Sequence, residues 1–263
     1  MDLKDKNVIY IGGFGGIGQK CLQTFLKREI KNLIVCDLHD NKEVLRSLRD
    51  SYSYSNIFYI PIDVTKNESI EEAYKLAAKK VNKFDVVVNG CGLMNDSFID
   101  LTIDINLRGV IHSTLKALEY MDASKGGRGG VIANISSVVG LQPNGMFAIY
   151  SAAKCGLTAF TCSLAYPLYY KYTGVSLITL CPGFTDTTLL DSVRGKETLT
   201  EYAEPLAVAF AKVKRQTPEI CAEMIVKAVE ISKNGNVWML DNGEMTEIEF
   251  KTFWKPKLNT QRE

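Results

Sequence analysis

Asn7-Val-Ile-Tyr-Ile-Gly-Gly-Phe-Gly-Gly-Ile-Gly18 is the stretch on which the fold turns. Its first five residues form a compact apolar run, as a buried strand requires, and the sequence after Gly18 puts Cys21, Leu22, Phe25 and Leu26 on one side of an amphipathic helix. The order is therefore strand, glycine turn, helix. Within it, Gly13-x-Gly15-x-x-Gly18 fits a dinucleotide fingerprint, in which the glycines allow a tight turn and let a pyrophosphate approach the helix N-terminus. Gly12, Gly16 and Ile17 complete this expected cofactor turn. A second apolar run, Asn32 to Cys36, ends at Asp37, 19 residues beyond Gly18, where a carboxylate would accept hydrogen bonds from an adenosine ribose. Asp37 would repel a ribose 2′-phosphate and Leu38 offers no cation, so NAD is expected over NADP. The alternative reading is an ordinary tight turn with Asp37 as a helix N-cap.

Outward from this stretch the alternation continues. Helical sequence from about Lys42 to Arg49 precedes a run from Ile57 to Ile62 that finishes at Asp63-Val64. A helix from about Asn67 is followed by a run from Phe84 to Val88 that ends in Asn89-Gly90-Cys91-Gly92. Continuous apolar strands alternating with helices imply a parallel sheet covered on both faces, with ligands at the carboxyl ends of the strands. Asp63, Val64 and the turn from Asn89 to Gly92 fall at such ends, where adenine and ribose contacts are expected, the alternative being ordinary turn chemistry. The remaining pattern gives a long helix from Phe98 to Tyr120, a strand from Val131 to Ser136, a long helix from Ala148 to Tyr170 and a strand from Val175 to Leu180. Residues 188–216 have the length of a lid over a substrate pocket. Thr217-Pro218 opens a helix, Val237 to Leu240 is the last expected strand, and residues 245–263 form a tail with aromatic Phe250, Phe253 and Trp254. The expected fold is thus a single-domain α/β Rossmann fold, a doubly wound, seven-stranded parallel sheet with helices on both faces.

Bulk properties narrow the classes of function. The chain has 263 residues, 31 basic against 30 acidic, so nothing marks a nucleic-acid or membrane-surface footprint. No apolar run approaches the ~18 residues of a membrane span. The seven cysteines are scattered with no C-x-x-C, which suits reduced core residues in a cytoplasmic protein. His39 and His112 lack metal-ligand spacing, so no metal is expected.

Tyr150 and Lys154 lie four apart on one helical face, and Ser137 sits just past a strand's carboxyl end. An isolated phenol titrates near pH 10, about three units too high for a base at neutral pH, and a neighbouring cation favours the phenolate. Asn106, in mid-helix, is conspicuous because its amide competes with backbone hydrogen bonds. Either a solvent-facing residue or a site residue fits that pattern.

Taken together these motifs resemble the short-chain dehydrogenase/reductase family along nearly the whole chain. The family's glycine motif matches Gly12, Gly16 and Gly18, with Ile11 where a threonine is usual, and its Asn-Asn-Ala-Gly turn appears as Asn89-Gly-Cys-Gly92. More narrowly, Lys31-Asn-Leu-Ile-Val35, Cys181-Pro-Gly-Phe-Thr-Asp-Thr187 and Asn234-Gly-Asn-Val-Trp238 are similar to the insect-type alcohol dehydrogenases and their fat-body-protein relatives. The resemblance implies a catalytic tetrad of Asn106, Ser137, Tyr150 and Lys154. In it Tyr150 is the base, Ser137 holds the substrate oxygen, Lys154 lowers the Tyr150 pKa and holds the nicotinamide ribose, and Asn106 anchors a water. It also implies cofactor contacts by Pro182, Gly183, Thr185 and Thr187, and a homodimer or tetramer. Met94, Leu141, Met146, Phe147, Leu189, Leu190 and Val193 are expected to form an apolar pocket for a small-molecule alcohol or carbonyl substrate. A lipid mediator whose carboxylate meets Arg194 or Lys196, and a storage protein that merely keeps the fold, are the alternatives.

Overall fold

Every second residue of the first strand belongs to a different core, which shows how the sheet is covered. In β1 (Asn7–Ile11), Val8 and Tyr10 face one hydrophobic cluster and Ile9 and Ile11 the other, all at most 1% exposed. The first cluster packs α1 (Gly16–Lys27), through Leu22 and Phe25, and the late helix Pro218–Ile231, through Ile225 and Val226. The second packs Ile70, Tyr74 and Ala117 from two helices on the opposite face. Each fully buried side chain of this kind contributes roughly 1.5–3 kcal/mol.

The computed structural model describes residues 1–191, 194–210 and 212–254. Along them run β2 (Asn32–Asp37), α2 (Lys42–Ser51), β3 (Asn56–Pro61), α3 (Asn67–Lys80), β4 (Val86–Asn89), α4 (Ile99–Ile103), α5 (Gly109–Met121) and β5 (Gly130–Ile135). Then follow α6 (Ala148–Leu164), α7 (Pro167–Thr173), β6 (Val175–Pro182), α8 (Thr188–Asp191), α9 (Ala203–Phe210), α10 (Pro218–Ile231), β7 (Val237–Asp241) and β8 (Glu244–Glu247). The sheet order is β3-β2-β1-β4-β5-β6-β7-β8, parallel from β3 to β7. The chain reverses its direction of winding between β1 and β4, so a crevice opens there at the strands' carboxyl ends.

The sheet has eight strands where seven were expected, because β8 adds antiparallel to β7 through a tight turn. Asn242 and Gly243 take φ of 49° and 84°, a pairing of left-handed residues that suits a two-residue hairpin. The single long helix expected from Ala148 to Tyr170 is two helices. Pro167 lacks an N–H to continue the first, and Tyr166 before it is held at φ −56°, ψ 135°. The stretch from Ile99 to Met121 is helical throughout but passes through a π-helical turn at Asp104–Arg108 that carries Asn106. Segment 188–216, expected as a lid, contains α8 and α9. Residues 250–254 of the tail have no regular structure, with Phe253 and Trp254 exposed, and the tail from 255 to 263 lies outside the described residues.

Candidate active site

A cavity of about 800 Å³ occupies the crevice between β1 and β4 and extends past β5 and α6 to α8. At its β1 end the wall is main chain. Gly12 has φ +82°, and a Cβ there would lie 2.6 Å from the Cys91 backbone nitrogen, so only glycine lets the two turns approach. A Cβ on Gly15 would instead extend into open cavity, 3.5 Å from its nearest neighbour. No side chain caps α1 and its first turn holds no acidic residue, so the positive end of that helix faces the cavity bare. Gly16, Ile17 and Gly18 also border it, whereas Gly13 packs against Val35 behind the turn.

Asp37 stands at the mouth of this end. Its carboxylate accepts from Phe14 N and Leu38 N, both at 2.8 Å, and each oxygen keeps lone-pair capacity for a further donor. The helix-cap alternative for Asp37 is overturned, since α2 begins later and Asn41 caps it through Val44 N at 3.1 Å. Asp63 and Val64 border the cavity. Burial pushes the Asp63 carboxyl upward, but hydrogen bonds from Thr65 and Lys66 outweigh it and hold the group below its usual range.

The turn after β4 divides. Gly90, Cys91 and Gly92 line the cavity, while Asn89 does not. The Asn89 amide, 1% exposed, donates to Asn134 Oδ1 at 2.8 Å and accepts from Ser113 Oγ at 2.6 Å, joining β4 to β5 and α5. Burial pushes the Cys91 thiol up to about 11, which makes it a poor nucleophile.

At the other end α6 and the end of β5 bring Ser137, Tyr150 and Lys154 to one wall. Burial pushes the Tyr150 phenol up to about 12, and a hydrogen bond with Ser137 opposes that rise. Lys154 Nζ donates to Ile135 O at 2.9 Å and lies 5.7 Å from the Tyr150 ring centroid. Burial pulls the Lys154 ammonium down to about 8. The expected lowering of the phenol by Lys154 is therefore not what dominates here: desolvation wins, and Ser137 is the group that works against it.

Asn106 is fully buried and does not border the cavity. Its amide donates to Leu93 O at 2.6 Å and Thr102 O at 2.8 Å and accepts from Leu93 N at 3.2 Å. It stands directly behind Gly92, where a Cβ would be 3.2 Å from Asn106 Oδ1 and 3.8 Å from Lys154 Nζ. Solvent exposure of Asn106 is ruled out.

Of the expected pocket residues, Met94, Phe147, Leu189 and Leu190 line the cavity. Met146 is buried in the same apolar cluster without lining the cavity, Leu141 is half-buried and does not line it, and Val193 lies outside the described residues. Pro182, Gly183, Thr185 and Thr187 border the cavity beside α8. Leu101, Ile105, Val138, Val139 and Asn144 also do so and were not read from the sequence. Two further residues missed there, Asp96 and Thr198, reach the start of α6. Arg194 pairs with Glu204 at 2.7 Å on the surface. Among the described residues no three His, Cys, Asp or Glu side chains gather as a metal centre, and no helix is long and apolar enough to cross a membrane.

The model of the short chain dehydrogenase family matches residues 6–198, which include the glycine turn, Asp37, Ser137, Tyr150 and Lys154. The chain belongs to the short-chain dehydrogenase family. It is an oxidoreductase of that type, in a family whose members typically bind NAD(P) and act on small molecules. It is 37% identical over 256 residues to alcohol dehydrogenase 1 of Ceratitis cosyra, covering 97% of this chain and 99% of that one. Fat body protein 2 of Drosophila melanogaster is 33% identical over 254 residues, covering 97% and 99%. The development-specific 25 kDa protein of Sarcophaga peregrina is 36% identical over 250 residues, covering 94% and 97%. In fold, the short-chain dehydrogenase described here superposes on levodione reductase with a TM-score of 0.75 at 22% identity, over 92% of this chain and 98% of the other.

Proposed function

We propose that the protein is an NAD-dependent dehydrogenase that interconverts an apolar, secondary alcohol and its ketone. One observation carries the reading: a single cavity is bounded at one end by a bare glycine turn with Asp37 and at the other by Ser137, Tyr150 and Lys154. The residues fit the cofactor. Gly15 leaves a cradle that a side chain would fill, the open N-terminus of α1 suits a pyrophosphate, and the Asp37 oxygens suit ribose hydroxyls and repel a 2′-phosphate. When bound, NAD supplies the hydride acceptor and a cationic ring.

The chain's own residues handle the proton. Ser137 holds the substrate oxygen beside Tyr150, and the Tyr150 phenolate takes the hydroxyl proton. Lys154, charged below about pH 8 and fixed on Ile135 O, orients the ribose and keeps positive charge at the back of the site. Asn106 fixes Leu93 and the Gly92 turn in front of Lys154, which makes it a support of the site. Met94, Phe147, Leu189 and Leu190 exclude water and select an apolar substrate. Since Arg194 is already paired with Glu204, a carboxylate-bearing lipid mediator fits less well. The exposed Phe98, Ile99 and Leu101 at the start of α4 suit pairing of two copies, which sedimentation would test.

Purified protein assayed with NAD or NADP and a panel of secondary alcohols, beside Tyr150→Phe, tests the reading. NAD-linked turnover abolished in the variant supports it, and equal turnover in both overturns it. The similarity to fat body protein 2 favours a second reading, a nucleotide-binding relative with vestigial catalysis. NAD binding without turnover on any alcohol would select it.

A further inference from the structure

The helix that carries Tyr150 begins without a cap of its own. Phe147 occupies the N-cap position with no side-chain hydrogen bond, and the first turn of α6 contains no acidic residue. The N–H groups there are satisfied from two distant parts of the chain. Asp96, 4% exposed in the loop after β4, accepts from Ile149 N at 2.8 Å through Oδ2 and from Tyr150 N at 3.0 Å through Oδ1. Thr198 Oγ1 accepts from Ala148 N at 2.7 Å and donates to Asp96 Oδ2 at 2.6 Å. The main chain doubles the tie, since Asp96 N donates to Lys196 O at 2.8 Å and Thr198 N donates to Met146 O at 3.1 Å. The head of the Tyr150 helix is thus gripped jointly by two residues 102 positions apart.

Between the two tie points sits Glu197. It is 2% exposed, and neither carboxylate oxygen meets a hydrogen-bond partner among the described residues. A buried carboxylate without partners opposes the seating of its own segment. Hydrogen bonds with Asp96 and the start of α6 hold residues 196–198 on both sides of Glu197. The same segment follows α8, whose Leu189 and Leu190 wall the cavity.

We propose that Asp96 and Thr198 form a latch coupling segment 196–198 to the position of Tyr150, with buried Glu197 making the latch releasable. Asp96 is a positioning residue: it touches the Tyr150 backbone and no reacting atom. Its kinetic consequence rests on Tyr150 being the base, whereas the coupling itself does not.

Amide hydrogen exchange on the full chain, run beside steady-state kinetics with NAD and a secondary alcohol, tests this. Thr198→Val and Asp96→Asn should each speed exchange about fivefold to tenfold in both 148–151 and 196–199. They should also lower kcat about tenfold, with the KM for NAD within about twofold of the parent. Thr198→Ser, which keeps the hydroxyl, should match the parent, and Glu197→Gln should slow exchange in both segments. Faster exchange in 148–151 alone overturns the coupling and leaves Asp96 an ordinary cap. Thr198→Ser as damaged as Thr198→Val overturns the role of the hydroxyl, and that pair decides the matter if Asp96→Asn does not fold. A parent without turnover defeats the dehydrogenase reading only, because the exchange results still decide the coupling.

Discussion

At the β1 end the cavity is walled by main chain at Gly12, Gly15 and Gly16, which carry no side chains, whereas at the α6 end it is walled by Ser137, Tyr150, Lys154 and an apolar group around Phe147. A main-chain wall recognises what every dinucleotide shares, and it is damaged by added bulk. A side-chain wall does chemistry and selects the substrate, and it is damaged by removed atoms. Substitutions in the two regions should accordingly fail in different measurements, binding in the first and turnover in the second.

The largest effect expected is at the side-chain end. Tyr150→Phe should lower kcat for alcohol oxidation by about 10²–10⁴, the worth of a general base, while titration of NAD fluorescence quenching shows unchanged binding. A matching loss of NAD binding would break the comparison. Next, at the main-chain end, Asp37→Ala should raise the KM for NAD about 10- to 100-fold, since a hydrogen bond to a charged group is worth roughly 1.5–3 kcal/mol, and should improve use of NADP. The comparison requires kcat to stay near the parent's.

Acid–base behaviour sharpens the contrast. Burial raises the Tyr150 phenol and Ser137 opposes it, so Ser137→Ala should shift the alkaline limb of the oxidation rate to higher pH. Oxidation needs the phenolate and rises along that limb, while carbonyl reduction needs the protonated phenol and falls. Lys154 changes stability instead. Its ammonium is pulled from 10.5 to about 8, so between those values the unfolded chain binds the proton and the folded chain does not. Stability of the parent should rise with pH across that window relative to Lys154→Met, as measured by urea unfolding at several pH values. The smallest effect is expected far from both ends. Gly243→Ala, at φ 84° in the β7–β8 turn, should cost about 1 kcal/mol in thermal unfolding and leave both kinetic constants unchanged.

The same contrast separates what sequence could tell from what it could not. The glycine turn and Asp37 were legible because their chemistry is local, a fixed spacing between a turn and the next strand end. Tyr150 and Lys154 were legible as a helical pair, and Ser137 as a residue past a strand. Asp96 and Thr198 were not, because an uncapped helix announces only that its cap comes from elsewhere, and the two residues meet across 102 positions. Leu141 does not line the cavity, and a loop lacks the periodicity that would orient its side chains. The helix break at Pro167 and the hairpin at Asn242-Gly243 were not read from the sequence, and the four residues of β8 are mostly exposed and lack the apolar alternation that marks a strand.

That hairpin bears on how copies of the chain can meet. β8 satisfies the edge of β7 that would otherwise be free to pair, and it is short, with Glu244 and Glu247 at its two ends. A second copy laid against it antiparallel and in register would set glutamate opposite glutamate, so this edge of the sheet is blunted against pairing. Pairing of copies through the β8 edge is thereby disfavoured.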